Sequence, residues 1–284
     1  YRCRALWDYQ IQSLCQWAEI VDGFRCDVAS FVPLEFWLKA RQEVAKVRPD
    51  CIWLAETVHL GFGCLARRRG IYSMLDYDAY SAFDIEYDYD VRKAFDDYLE
   101  GSSRLSHYLD LLNFQEGMYP ANYNKLRALE NHDQPRICSF VKDEKALVNY
   151  TAFLYFLKGT TLIYAGQEFE NDNRPSLFEK EPIDRASGRD LSGLMRRLYE
   201  IKQDFGSEDY FSASADDEHD IAVLERGGNG RRFIGVFSLR GESADVSVGV
   251  PYGRYKNLID GSPVNIRYGK LRCSGEPVII EVKE

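Results

Sequence analysis

The sequence predicts an α/β fold in which a parallel sheet covered by helices occupies residues 1–207 and a small antiparallel β domain occupies residues 208–284. Three observations predict it. Helical patterns alternate with short apolar runs through the first two thirds of the chain, the order that parallel strands with covering helices require. The alternation stops after about Tyr210, where short strands follow one another across glycine-rich turns. Three of the early strands end in a carboxylate, and the C-terminal ends of parallel strands are where sites are built.

The elements follow in chain order. Tyr1 to Glu19 reads as a helix with Leu6, Leu14 and Trp17 on its apolar side. Val21 to Val28 reads as a strand. Pro33 suits the first turn of a helix, which carries Leu34, Trp37, Leu38, Val44 and Val47 on one side, interrupted at Arg41. Cys51 to Glu56 is a second strand and Ala82 to Glu86 a third, weaker one. Leu105, Tyr108, Leu109 and Leu112 mark a helix before the strand Lys125 to Asn131. Ala146, Tyr150, Phe153, Leu154 and Leu157 mark another, before Thr161 to Ala165. Leu191, Leu194, Leu198 and Ile201 close the series. In the tail, Ile221 to Leu224 and Phe233 to Leu239 flank the turn Gly227-Gly228-Asn229-Gly230. Asp260-Gly261 is a further turn, and Val278 to Val282 a last strand.

Composition narrows the function. The chain has 284 residues, 45% of them hydrophobic and 14% aromatic, enough to bury a large core and a smaller second one. A net charge of −9 repels phosphate backbones and anionic lipid, so neither nucleic acid nor a membrane is expected as partner. Neutral sugars are compatible, and the tyrosines and tryptophans can stack on them, although most such rings pack cores. No apolar run is long enough to span a bilayer, and no signal-peptide pattern opens the sequence. The seven cysteines are odd in number, and no pair has metal-ligand spacing. Reduced thiols in a cytoplasmic protein are therefore expected, with no metal site and no identifiable cofactor.

The charged residues of the strands carry the chemistry. In Asp22-Gly23-Phe24-Arg25-Cys26-Asp27, Arg25 and Asp27 share one face of a strand that should be apolar on both. An internal ion pair would satisfy them, and so would a site. Trp53-Leu54-Ala55 ends in Glu56, and Leu129 leads into Glu130-Asn131-His132-Asp133. A single acid at a strand end is usually a cap or a solvated loop residue, and a lone histidine there is usually a satisfied polar group. Acids at three strand ends point instead to one pocket.

These segments, in this order and with 29 and 77 residues between successive acids, resemble the α-amylase family, glycoside hydrolase family 13. Gly23-Phe24-Arg25-Cys26-Asp27 is similar to its nucleophile strand and Glu56 to its general-acid position. Asn131-His132-Asp133 matches its Asn-His-Asp segment, and Leu162 to Glu168 its eighth strand and following turn. The resemblance implies a (β/α)8 TIM-barrel type, of which the fourth to eighth β/α units are present, followed by a small antiparallel β-sandwich. It implies catalytic roles for Asp27 (nucleophile), Glu56 (acid, then base) and Asp133 (binding sugar hydroxyls as charge develops). Arg25 would pair with Asp27, and His132 would donate to the same sugar. The implied activity is retaining hydrolysis of α-1,4-glucans or maltooligosaccharides. A transglycosylase, or an inert chain that binds glucan or a protein partner, stands beside it.

The sequence also departs from the family pattern. An Asp-x-x-x-Asn-His segment and the inserted domain that often carries calcium are not present, so any calcium is expected in a missing N-terminal part. Ser30-Phe31 stands where many α-amylases have Lys-His, which leaves long-chain endo specificity unsupported. An open five-strand sheet leaves edges unpaired, so a missing N-terminal fragment or self-association is expected to cover them.

Overall fold

A computed structural model describes residues 3–207, 209–228 and 230–283. Tyr1 of the first helix, Asn229 of the expected turn and the expected domain boundary at 208 lie outside the described residues. The chain forms two compact units, residues 1–93 with 123–126 and residues 94–122 with 127–284.

In the first unit, strands β1 (Gly23–Cys26), β2 (Ile52–Ala55), β3 (Ile85–Tyr87) and the start of β4 (Lys125–Arg127) run parallel. Gly23 opposes Ile52 and Cys26 opposes Ala55, so Asp27 and Glu56 leave adjacent strands at the same level. A Cβ on Gly23 would sit 2.5 Å from the Ile52 carbonyl oxygen, so only glycine allows this approach. The helix Leu34–Val44 buries Phe36, Trp37, Ala40 and Val44 and follows Pro33, as expected. It ends three residues before Val47, and Leu38 and Val47 are exposed. Arg41, which interrupts the stripe, donates to Asp84 and to the Ala82 carbonyl, while Asp84 accepts from the Trp53 amide at 2.8 Å. It ties the helix to the entry of β3. The helix Arg4–Ala18 buries Trp7, Ile11 and Ala18, with Leu14 packed against the same core; Leu6 and Trp17 point to solvent.

A second set of residues in this unit is charged and buried. Lys125 is wholly inaccessible, and its ammonium lies 2.7 Å from Asp76, 3.2 Å from Glu86 and 3.4 Å from Asp90. Burial pushes the Glu86 carboxyl well above its usual range even against the attraction of Lys125.

In the second unit, the Leu162 amide donates to the Arg127 carbonyl, where β5 (Thr160–Thr161) continues the parallel sheet in the order β1-β2-β3-β4-β5. The helices Leu105–Met118, Glu144–Phe156 and Ser192–Lys202 belong to this unit. Asp143 caps the second of them through the Ala146 amide. The tail forms β6 (Tyr210–Asp216), β7 (Ile221–Gly228), β8 (Arg231–Ser238), β9 (Ala244–Ser247), β10 (Gly253–Lys256), β11 (Pro263–Arg267), β12 (Lys270–Cys273) and β13 (Val278–Lys283). They make two antiparallel sheets, β13-β8-β7-β6 and β10-β11-β12-β9. Ile221, Ile234, Val236, Val246, Ile266, Leu271 and Ile280, drawn from both sheets, share one core. Asn149, fully buried in its helix, donates to the Gly275 carbonyl and accepts from the Ser238 amide, both at 2.8 Å, and so fastens the tail to that helix.

Candidate active site

The end of β1 and the end of β2 build one constellation. Arg25, the third residue of β1, reaches out between two acids. One terminal nitrogen donates to Asp27 in a short ion pair, and the other forms an ion pair with Glu56 at 2.7 Å. Glu56 also accepts a hydrogen bond, at 2.9 Å, from the Val28 amide. Val28 presents that amide because it turns into the left-handed region, φ +46°, immediately after Asp27. A β-branched residue is seldom found there. The Ala29 amide then donates to the Glu56 carbonyl at 3.0 Å, locking the two strand ends together.

The two carboxyls differ in surroundings. The Glu56 side chain is 9% exposed and that of Asp27 70% exposed. Burial pushes the Glu56 carboxyl up, the neighbouring Asp27 adds to this, and the Val28 amide and Arg25 pull against it. One carboxyl therefore favours its proton while its neighbour is open to solvent. The two acids are linked through Arg25, which contacts both. Tyr87, from β3, faces Arg25, its ring 5.7 Å from the guanidinium carbon. Charge patterns gave no sign of Tyr87 or of the Val28 amide.

Ser30 and Phe31 have structural partners. The Ser30 hydroxyl accepts from the Val58 amide at 3.2 Å and its carbonyl from the Met74 amide at 2.7 Å. The Phe31 ring packs edge-on against Phe62 with centroids 5.4 Å apart.

In the second unit, Asn131 folds the segment after β4 into a tight turn: its side-chain oxygen accepts from the amides of Asp133 (2.8 Å) and Gln134 (2.9 Å). His132 and Asp133 contact each other at 3.1 Å, and both side chains are 41% exposed. Beneath them Glu130 is fully buried. It accepts from the Arg136 guanidinium at 2.6 Å and from the Ile137 amide at 2.7 Å. Arg136 donates onward to the carbonyls of Ala165 and Asn173 and lies 4.3 Å over the Tyr164 ring. This pair anchors the turn from below. The alternation of apolar and polar residues in Leu129-Glu130 hid it, although the guanidinium six residues on was a visible partner.

So Arg25, Asp27 and Glu56 are brought together in one unit, and His132 and Asp133 are neighbours in the other. Among the described residues no cluster of His, Cys, Asp and Glu could hold a metal ion, and no helix is long and apolar enough to cross a membrane. All seven cysteines are free.

Comparison with known proteins identifies the relatives of the chain. Residues 8–219 match the family model "Alpha amylase, catalytic domain", and residues 212–280 match "Bacterial Alpha amylase C-terminal domain". An α-amylase structure from Lactobacillus plantarum superposes with a TM-score of 0.92 at 37% identity, covering 98% of this chain and 67% of that one. A noncanonic maltogenic α-amylase from Thermotoga neapolitana gives 0.81 at 30% identity, covering 99% and 66%. An intracellular maltogenic amylase of Bacillus subtilis (strain 168) is 29% identical over 191 residues, 64% of this chain. The chain spans 30% of the length of that curated relative.

Proposed function

Because the chain belongs to the α-amylase family of glycoside hydrolases, we propose that it cleaves α-1,4-glucosidic bonds in glucans or maltooligosaccharides with retention, through a covalent glycosyl-enzyme. The observation that carries this reading is the single guanidinium of Arg25 joining Asp27 and Glu56, with Glu56 the buried, proton-favouring partner.

In the first step a carboxylate oxygen of Asp27 attacks the anomeric carbon. Glu56 gives its proton to the departing glycosidic oxygen as the bond to the leaving sugar breaks. In the second, Glu56, now a carboxylate, takes a proton from water, whose oxygen attacks the same carbon and releases Asp27. Arg25 pairs with both acids, and the Val28 amide stabilises Glu56 when it is charged. Asp133 and His132 are assigned to sugar hydroxyls, binding more strongly as the oxocarbenium-like state develops. Residues 208–284 form the β domain that follows the catalytic part. Ser30 and Phe31, where many α-amylases have Lys-His, make structural contacts instead, which leaves a long-chain endo action unsupported.

The test is release of reducing sugar from a maltooligosaccharide series. Turnover should occur, and Asp27→Asn should lower kcat on the order of a thousandfold or more. A rise in melting temperature with acarbose but no turnover would replace hydrolysis with glucan binding alone.

A further inference from the structure

The outer face of the sheet β10-β11-β12-β9 has a charge that the rest of the chain does not share. Along these strands Val264, Ile266, Leu271, Cys273, Ala244 and Val246 point into the sandwich. The alternate residues point out. Among them are Arg254, Lys256, Arg267, Lys270 and Arg272, against one carboxylate, Asp245, in a protein whose net charge is −9. The register sets Arg267 directly opposite Lys270 and Arg254 opposite Asn265. Like charges paired across strands work against the sheet. Among the described residues only Arg272 of the five has an ion pair, a loose one to Asp245 at 3.6 Å between exposed side chains.

One end of the same sheet carries two exposed rings. Tyr252 precedes Gly253, which opposes Ile266, and Tyr268 follows Arg267, so both sit at that end. Tyr252 is 79% exposed and Tyr268 98% exposed. Tyr268 and Gly269 form a two-residue hairpin turn with φ of +53° and +72°. Asn, Asp or Gly fits the first position of such a turn without strain. A tyrosine there, burying nothing, stabilises neither the turn nor the core.

We propose that this face is a second binding surface, for a phosphate-bearing α-glucan. Arg254, Arg267, Lys270 and Arg272 take its phosphate monoesters, and Tyr252 and Tyr268 stack under its glucose rings. The charge identifies the phosphate, because guanidinium groups match its oxygens in pairs, and a neutral glucan would leave four of the five cations uncompensated. The rings identify the sugar, since a bare polyanion has no use for them. That the sugar is an α-glucan rests on the function proposed above.

The experiment is affinity electrophoresis of the whole chain in gels of amylopectin carrying phosphate monoesters and of the same polymer after phosphatase treatment. The dissociation constant should be about tenfold lower for the phosphorylated polymer, and the difference should vanish near 0.5 M salt, at roughly a 4 Å Debye length. Arg267→Gln with Lys270→Gln should abolish the difference at an unchanged melting temperature. Tyr268→Ala should weaken binding to both polymers. Equal retention by the two polymers overturns the proposal, as does equally tight binding of duplex DNA. Asp27→Asn should leave the phosphate-dependent difference intact. In the unmodified chain, absent hydrolysis with that difference present therefore counts against the active-site reading alone, and hydrolysis without that difference counts against this surface alone.

Discussion

At the residue scale, Arg25 and Asp27 act on Glu56 with opposite sign. Arg25 draws its pKa down and Asp27 drives it up, both against a background of burial that raises it. The alkaline limb of kcat/KM belongs to loss of the Glu56 proton, so it should lie above the ordinary carboxylate range. In Arg25→Gln, the Glu56 titration followed by carbon NMR should move higher still. In Asp27→Asn it should move lower, and equal shifts in one direction would contradict the assignment. Stability follows the same proton. A carboxyl with a raised folded pKa contributes most below its unfolded value and loses that contribution as pH rises through the folded one. Glu56→Gln should therefore melt higher than the unmodified chain at neutral pH and lose that advantage in acid. Arg25, Asp27 and Glu56 were legible in the sequence because charged residues interrupt or end strands that burial should keep apolar. Tyr87 and the Val28 amide were not, since an aromatic on a strand reads as core and a backbone donor carries no residue signature.

At the scale of elements, the order of strands and helices was legible but their ends were not. Apolarity runs past the ladder: Val21–Val28 shrinks to Gly23–Cys26, and Lys125–Asn131 to Lys125–Arg127. The helix Leu60–Arg68 went unseen, as Gly61 and Gly63 lower helix propensity and Leu60, Phe62 and Leu65 lie exposed. In the first helix the apolar residues Leu6 and Trp17 drew attention from the buried stripe of Trp7, Ile11 and Ala18, one position away. Two substitutions test how these elements are joined. Asn149→Ala leaves a buried amide and carbonyl without partners and should cost about 2–5 kcal/mol in denaturant unfolding. Lys125→Ala strips buried Glu86 and the half-buried Asp76 and Asp90 of their shared cation and should cost about 3–5 kcal/mol. Little change in either would mean the observed bonds contribute nothing net.

For the whole molecule, the change from alternating helices and strands to consecutive hairpins predicted both the parallel sheet and the β tail, and the family match spans both. How the tail is fastened was not legible, because Asn149 reads as an ordinary polar interruption of a helix. Trapping the glycosyl-enzyme tests the central claim most directly. The chain is incubated with a fluorinated α-glucosyl fluoride, which glycosylates a carboxylate nucleophile quickly and releases it slowly, and then digested for mass spectrometry. The account predicts a gain of one fluoroglucosyl group on the peptide containing Asp27, absent in Asp27→Asn. The same group on another carboxylate, or hydrolysis of the fluoride with inverted configuration and no adduct, would contradict it.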